Sequence, residues 1–299
     1  MRISAFTYVR NGIEYFYPFL ESIQSVLPIV DELIVVVGDS RDGTRESILN
    51  LNSGKIKIVD SIWDMNLREG GKIFAQQSNL GFDATTGDWV IHLQADEVLH
   101  ENDISKLKDH IIKFDKDQRV EGLLFPFLNF HGDYDHINTG RKAERFEIRA
   151  FRHNPLIRSY RDSQGFRKYT SPNSYLNGEK GAKLQVVKID VPVYHYPFVR
   201  PPEIMKNKIA TFMSFYNDDQ TMAGKKQYIQ EFDYNEVHSL EIFTGAHPKV
   251  MLPTIQKKNW TFKYDPSKAD ISLRYRILNK IEALTGYRIG EYKNYKLIG

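Results

Sequence analysis

The first hundred residues alternate between two hydrophobic periods. Residues 2 to 9 are a short apolar stretch that reads as a strand. A polar turn follows at Arg10-Asn11-Gly12, then a helical pattern to about Leu27. Pro28 ends that helix, because proline has no amide proton to donate. DELIVVVG (31–38) is too short for a typical helix and rich in β-branched residues, so it predicts a strand buried on both faces. DSRDGT (39–44) is a turn cluster, RESILNLN starts a short helix, and KIKIVD (55–60) alternates as a third strand. Residues 72 to 84 are helical in pattern, and Gly87-Asp88 turns the chain into the strand WVIHL. The order β-α-β-α-β-α-β predicts a parallel sheet covered by helices.

Further on, a helix is expected near residues 103 to 114. VEGLLFPFLNF (120–130) predicts one or two strands, and RFEIRAFR (145–152) an antiparallel one. KLQVVKIDVPVYHY (183–196) reads as a strand pair or a bent strand closed by Pro197. A helix follows Pro201-Pro202. Residues 216 to 265 carry no clear period. The last helix, DISLRYRILNKIEALTG, has Asp270 as expected N-cap and Gly286 at its far end. Leu273, Ile277, Ile281 and Leu284 share one of its faces and are expected to pack on the rest of the chain, with contact to a membrane as the competing use.

Composition narrows the classes. With 41% apolar and 26% charged residues the chain is globular rather than disordered. No apolar run approaches the roughly 20 residues that span a bilayer. The start has no cleavable hydrophobic region, and the chain has no cysteine. A cytoplasmic protein is therefore expected, without disulfides or thiolate metal sites. The net charge of +3 is uneven. Val250 to Gly299 holds ten Lys or Arg against four Asp or Glu, a local +6, which leaves −3 for the remainder. A basic end suits an anionic partner such as lipid headgroups, or is a solvated face.

Ligands of open α/β sheets bind beyond the carboxyl ends of the strands. Three polar clusters fall there: Tyr8 to Asn11, Asp39 to Asp42, and Gln94 to Glu97. VIHLQADEVLHE (90–101) is the sharpest of them, a buried strand that ends at once on carboxylates. Such carboxylates are either solvated loop residues or fixed negative charge for a cation that holds a phosphate. The loops GxxxxGK[ST] and GxGxxG, the GxSxG elbow and HExxH are all absent. Gly70-Gly71-Lys72 is only a fragment of a phosphate loop.

These blocks, in this order and spacing, resemble the family 2 glycosyltransferases, inverting nucleotide-sugar enzymes of the GT-A fold. YVRNG is similar to that family's first strand end, VVVGDSRDGT to its VDDGSTDGT-type turn, and ATTGDWVIHLQADE to its AxGDxxxxLDADD segment. The resemblance covers residues 2 to about 100 and continues more thinly through 145 to 216, where it is closest to bacterial surface-glycan members. It departs in two places: Gln94 stands where the first Asp of DxD is usual, and Gly38-Asp39 reverses the usual acidic turn.

The resemblance implies a Rossmann-like, mostly parallel α/β sheet covered by helices. A domain at 1–215 would carry a largely helical C-terminal extension, 216–299, packed on it. It implies transfer of a sugar from a nucleotide-diphospho-sugar to a glycan or lipid-linked acceptor, as in polysaccharide or lipopolysaccharide biosynthesis, with Mn²⁺ or Mg²⁺ as cofactor and no nucleic-acid partner. Asp96 would be the metal ligand and His195 the second, where the residue-level alternative for His195 is a packed strand histidine. Tyr8, Arg10, Asp39 and Gln94 would meet the nucleotide-sugar. Arg68 and Lys72 would meet phosphate or else form a surface pair. Asp162 is the expected base and Glu179 its runner-up; either is also an ordinary loop acid. Asp96, read as a loop carboxylate, is expected to be dispensable for folding. Two rivals remain: a sugar nucleotidyltransferase, whose GxGxR loop is missing here, and a non-catalytic nucleotide-sugar-binding protein.

Overall fold

The computed structural model describes residues 1–159, 161–163, 165–217, 220–222, 232–269 and 272–298. Its first half follows the alternation of the sequence. β1 (Ile3–Val9), α1 (Phe19–Val26), β2 (Glu32–Val37), α2 (Thr44–Leu49), β3 (Ile56–Asp60), α3 (Lys72–Asp83) and β4 (Trp89–His92) build a parallel sheet in the order β3-β2-β1-β4. β2 is buried along its whole length, as its unbroken apolar run requires. α1 begins later than its pattern suggests. Phe16 has a φ of 54° and Pro18 stands at the N-cap, so residues 12 to 17 form turns instead.

β5 (Glu97–Leu99), α4 (Ile104–Asp115), β6 (Gly122–His131), β7 (His136–Asn138) and β8 (Phe146–Arg152) come next. β8 inserts antiparallel between β4 and β6, and 120–130 is one long strand rather than two. β9 (Ile157–Ser159), β10 (Phe166–Lys168) and β11 (Ala182–Lys188) extend the sheet beyond β6. β12 (Val193–Phe198) lies between β6 and β5, with His195 in register with both Asn129 and Glu97. Pro197 does not close this strand. It sits inside, where the register with β6 shifts between His195 and Phe198.

α5 (Pro202–Ser214) has proline in its first turn, where no amide donor is needed. The C-terminal part mixes helix and strand. β13 (Leu240–Ile242) pairs with β7, α6 (Leu252–Gln256) and α7 (Leu273–Thr285) follow, and β14 (Tyr295–Leu297) runs parallel to β11. Asp270 lies outside the described residues; the N-cap of α7 is Ser272, whose side chain accepts from the Tyr275 amide. Two apolar clusters sandwich the sheet, one around Val35, Ile91 and Leu123, the other around Phe6, Ile34 and Phe151. They hold the strand ends rigidly beneath one mouth.

Candidate active site

Above the carboxyl ends of β1 and β4 lies a cavity of about 910 Å³. The ends of β1 and β4, α5, the 141–149 segment, Asp162 and parts of α7 form its walls. Asn11 ties the loops after β1 and β2 together. It accepts from the Arg41 amide, and its own amide donates to Ser40 Oγ at 3.0 Å.

The QADE segment is not a solvated loop. Residues 95 to 100 are all buried. Glu97 is consumed structurally: Arg149 Nε and Nη2 donate to its two carboxylate oxygens, both at 2.6 Å, and the Gln94 amide donates to one of them. Asp96 differs. Its carboxylate faces His195 Nε2 at 3.7 Å, Lys208 Nζ at 3.5 Å and Arg200 Nη2 at 3.9 Å. Burial alone would raise its pKa, but the charges of Lys208, His195 and Arg200 outweigh burial and hold it below the ordinary value. Burial, with Arg200 nearby, brings the Lys208 ammonium down to about 7 against the opposing pull of Asp96. Both cations lie over the Tyr17 ring, Arg200 at 4.8 Å and Lys208 at 4.7 Å from its centroid.

Asp96 is therefore more than a loop carboxylate. Removing it takes away the counter-charge shared by Lys208 and Arg200, which keep their bonds to the Pro197, Tyr15 and Tyr196 carbonyls, so some loss of stability is expected.

His195 is oriented by a chain of hydrogen bonds. Asn129 Nδ2 donates to the Glu144 carbonyl at 2.6 Å, which turns Asn129 Oδ1 toward His195 Nδ1 at 2.8 Å. Nδ1 must therefore carry the hydrogen. Nε2 is then the ring nitrogen that faces Asp96: as imidazolium it pairs with the carboxylate, and as neutral imidazole it offers a lone pair to a cation. Histidines that ligate metals are commonly held through their other ring nitrogen in the same way.

On the β1 side, the Tyr8 ring stacks over His92. Arg10 pairs with Asp39 at 2.9 Å and lies over the Trp63 ring. Asp39 Oδ1 and Trp63 Nε1 are buried without a hydrogen-bond partner in the protein. Gly38 explains the altered acidic turn, since a Cβ there would stand 2.6 Å from Trp63 Nε1.

Asp162 enters the cavity from a turn in which Arg161 (φ 52°) and Ser163 (φ 67°) are both left-handed. Tyr216 donates to its Oδ2 at 2.8 Å, while Oδ1 is buried and unpartnered. Gly71 (φ 71°) admits this pair, because a Cβ there would lie 2.6 Å from the Asp162 Cβ. Glu147, a second carboxyl on the wall, is pushed up to about 8 by burial, with Glu144 and Glu97 adding to it against Arg149.

The family model for glycosyl transferase family 2 matches residues 4–169, more than half of the chain. The chain belongs to that family. It is a glycosyltransferase, and its mixed sheet with helical cover is consistent with the GT-A fold. Among solved structures it is similar to S. aureus TarS residues 1–349, at 16% identity and a TM-score of 0.40 over 78% of this chain and 70% of that one. The UDP complex of that protein matches at 18% identity and 0.40, over 79% and 71%. Its UDP-GlcNAc complex matches at 16% and 0.40, over 77% and 70%. No curated protein matches the chain by sequence.

In this glycosyltransferase Tyr8, Arg10, Gln94, Asp96, Asp162 and His195 line one cavity, and Asp39 stands behind Arg10. Like Asp39, three further expected residues do not line it. Arg68 and Lys72 flank the Gly70-Gly71 turn, whose cavity side is filled by Asp162 and Tyr216. Glu179 is a half-buried brace between β10 and β11, accepting from the Thr170 amide and hydroxyl. The residue reading missed Asn129, Glu147, Arg200 and Lys208. Lys208 left a trace, lying three residues after the fully buried Met205 and so on the inward face of α5.

Among the described residues no three His, Cys, Asp or Glu side chains converge. The protein itself thus offers a divalent cation one carboxylate and one oriented imidazole. That donor set fits Mn²⁺ or Mg²⁺ in sites that complete their shell with substrate phosphate and water.

Proposed function

We propose that this glycosyltransferase moves a sugar, with inversion at the anomeric carbon, from a nucleotide-diphospho-sugar to a hydroxyl of a glycan or lipid-linked acceptor at the cytoplasmic side of a membrane. The observation that carries the reading is the His195 ring, held by Asn129 through Nδ1 with Nε2 turned to the Asp96 carboxylate at 3.7 Å. Asp96 and His195 would hold Mn²⁺ or Mg²⁺, and the chemistry that a bound cation supplies is neutralisation of charge on the departing diphosphate. Arg200 adds fixed positive charge at the same place, and Lys208 adds more when it is protonated.

Tyr8, Arg10 and Asp39 are assigned to the nucleotide, with the unpartnered Asp39 Oδ1 and Trp63 Nε1 as waiting acceptor and donor. Gln94 would meet the ribose or sugar through an amide in place of the usual carboxylate. Asp162 is assigned as the base that takes the acceptor proton. A strained turn, one oxygen held by Tyr216 and one left without a partner support that role. Glu147 is a poor base at neutral pH because it already carries a proton there.

The test is incubation of the purified chain with UDP-, GDP- and CDP-sugars, with Mn²⁺ or with chelator. Slow metal-dependent release of one nucleoside diphosphate, with a sugar of opposite anomeric configuration by NMR, is expected. Release of pyrophosphate from a nucleoside triphosphate and a sugar phosphate would mark a nucleotidyltransferase instead. No turnover of any donor would leave a binding protein.

A further inference from the structure

α7 has two unlike faces. Its inner face is tied to the catalytic body: Glu282 accepts from Arg141 at 2.6 Å and from Arg288 at 2.7 Å, and Tyr275 packs on His238. Arg274, Tyr275 and Leu278 reach the cavity wall. The outer face is the stripe expected to pack; Ile281 is half-buried, yet among the described residues the other three members stay largely uncovered. Leu273 is 74% exposed, Ile277 51% and Leu284 87%. At about 100° per residue these three lie within roughly 40° of one another. Arg276 and Lys280 flank them on one side and Arg274 on the other, all exposed. Beyond Gly286 the exposed residues continue as Tyr287, Tyr292, Lys293 and Lys296.

An apolar stripe bordered by cations, followed by exposed tyrosines, has the make-up of a helix lying in the plane of an anionic bilayer. No described helix is long and apolar enough to cross a membrane. A second copy is a poorer occupant, because a two-fold contact through this stripe would crowd the Arg274, Arg276 and Lys280 cations of one copy beside those of the other. We infer that α7 and the segment after it dock on anionic lipid and bring the cavity, on the opposite face of the same helix, to headgroup level. The use of that placement, access to a lipid-linked acceptor, rests on the transfer reading; the docking itself does not.

Co-sedimentation of the full chain with vesicles of phosphatidylcholine, alone or mixed with phosphatidylglycerol, tests it. Pelleting is expected with the anionic mixture at low salt and is lost at high salt. Lys280→Glu with Lys293→Glu should weaken partition by roughly five-fold or more per residue. Ile277→Asp with Leu284→Asp should abolish it; both side chains are exposed, so the melting temperature should not move. Absence of pelleting with anionic vesicles at low salt overturns the proposal. So does a dimer in sedimentation velocity that the aspartate pair dissolves without any vesicle binding. Binding of a nucleoside diphosphate, measured in parallel, separates the two readings. Nucleotide binding without vesicle binding removes docking alone, and the reverse removes transfer alone.

Discussion

His195 Nε2 stands 3.7 Å from Asp96 Oδ1, while its other ring nitrogen is held by Asn129 Oδ1 at 2.8 Å. The β5-β12-β6 ladder makes this unavoidable. His195 is in register with Glu97 on one side and Asn129 on the other, and the Tyr196 amide donates to the Asp96 carbonyl at 2.8 Å.

Asn129→Leu removes the acceptor that fixes the ring. Mn²⁺ affinity should fall by roughly 10- to 100-fold, the usual worth of an outer partner. Binding of a nucleoside diphosphate in chelator should stay as in wild type. Calorimetric titration of the metal reads the first and of the nucleotide the second. Unchanged Mn²⁺ affinity would take the orienting role from Asn129.

Asp162→Asn should keep donor affinity and lower turnover by roughly 10²- to 10⁴-fold. Tyr216→Phe frees the second oxygen without removing the carboxylate and should lower turnover by less. If Asp162→Asn turns over like wild type, the base lies elsewhere.

Glu147 offers a test that needs no substrate. Its carboxyl is raised from 4.5 to about 8 in the folded protein, among Arg149, Glu144 and Glu97. Between those pH values the native state holds a proton that the unfolded chain has released. Its contribution to stability is therefore complete below pH 4.5 and is lost as pH rises toward 8, by at most about 1.4 kcal/mol per pH unit. Glu147→Gln has no such slope. The melting temperature of the variant minus that of wild type should grow steadily from pH 5 to 8, and a constant difference would show that Glu147 ionises normally.

Much of the first half was legible because buried parallel strands announce themselves. ELIVVV has no reading other than a core strand once its length is considered, and three polar strand ends pointed to one mouth. The acids were harder. Asp96 and Glu97 are neighbours of the same type, yet one is held by Arg149 and the other is left for the cavity, a division made by β8 and α5 far along the chain. Glu179 was indistinguishable from Asp162 as a loop acid until Thr170 closed on it. The outer face of α7 failed in the other direction: helical periodicity marks an apolar stripe but not whether protein or lipid covers it.

The most direct measurement is calorimetric binding of UDP, GDP and CDP to wild type and His195→Ala, with Mn²⁺ and with chelator. A metal site at Asp96 and His195 requires that one nucleotide bind wild type at least about tenfold more tightly with Mn²⁺, and that His195→Ala lose most of this gain while retaining the metal-free affinity. Equal affinity with and without Mn²⁺ in wild type, or the same gain in His195→Ala, would contradict it.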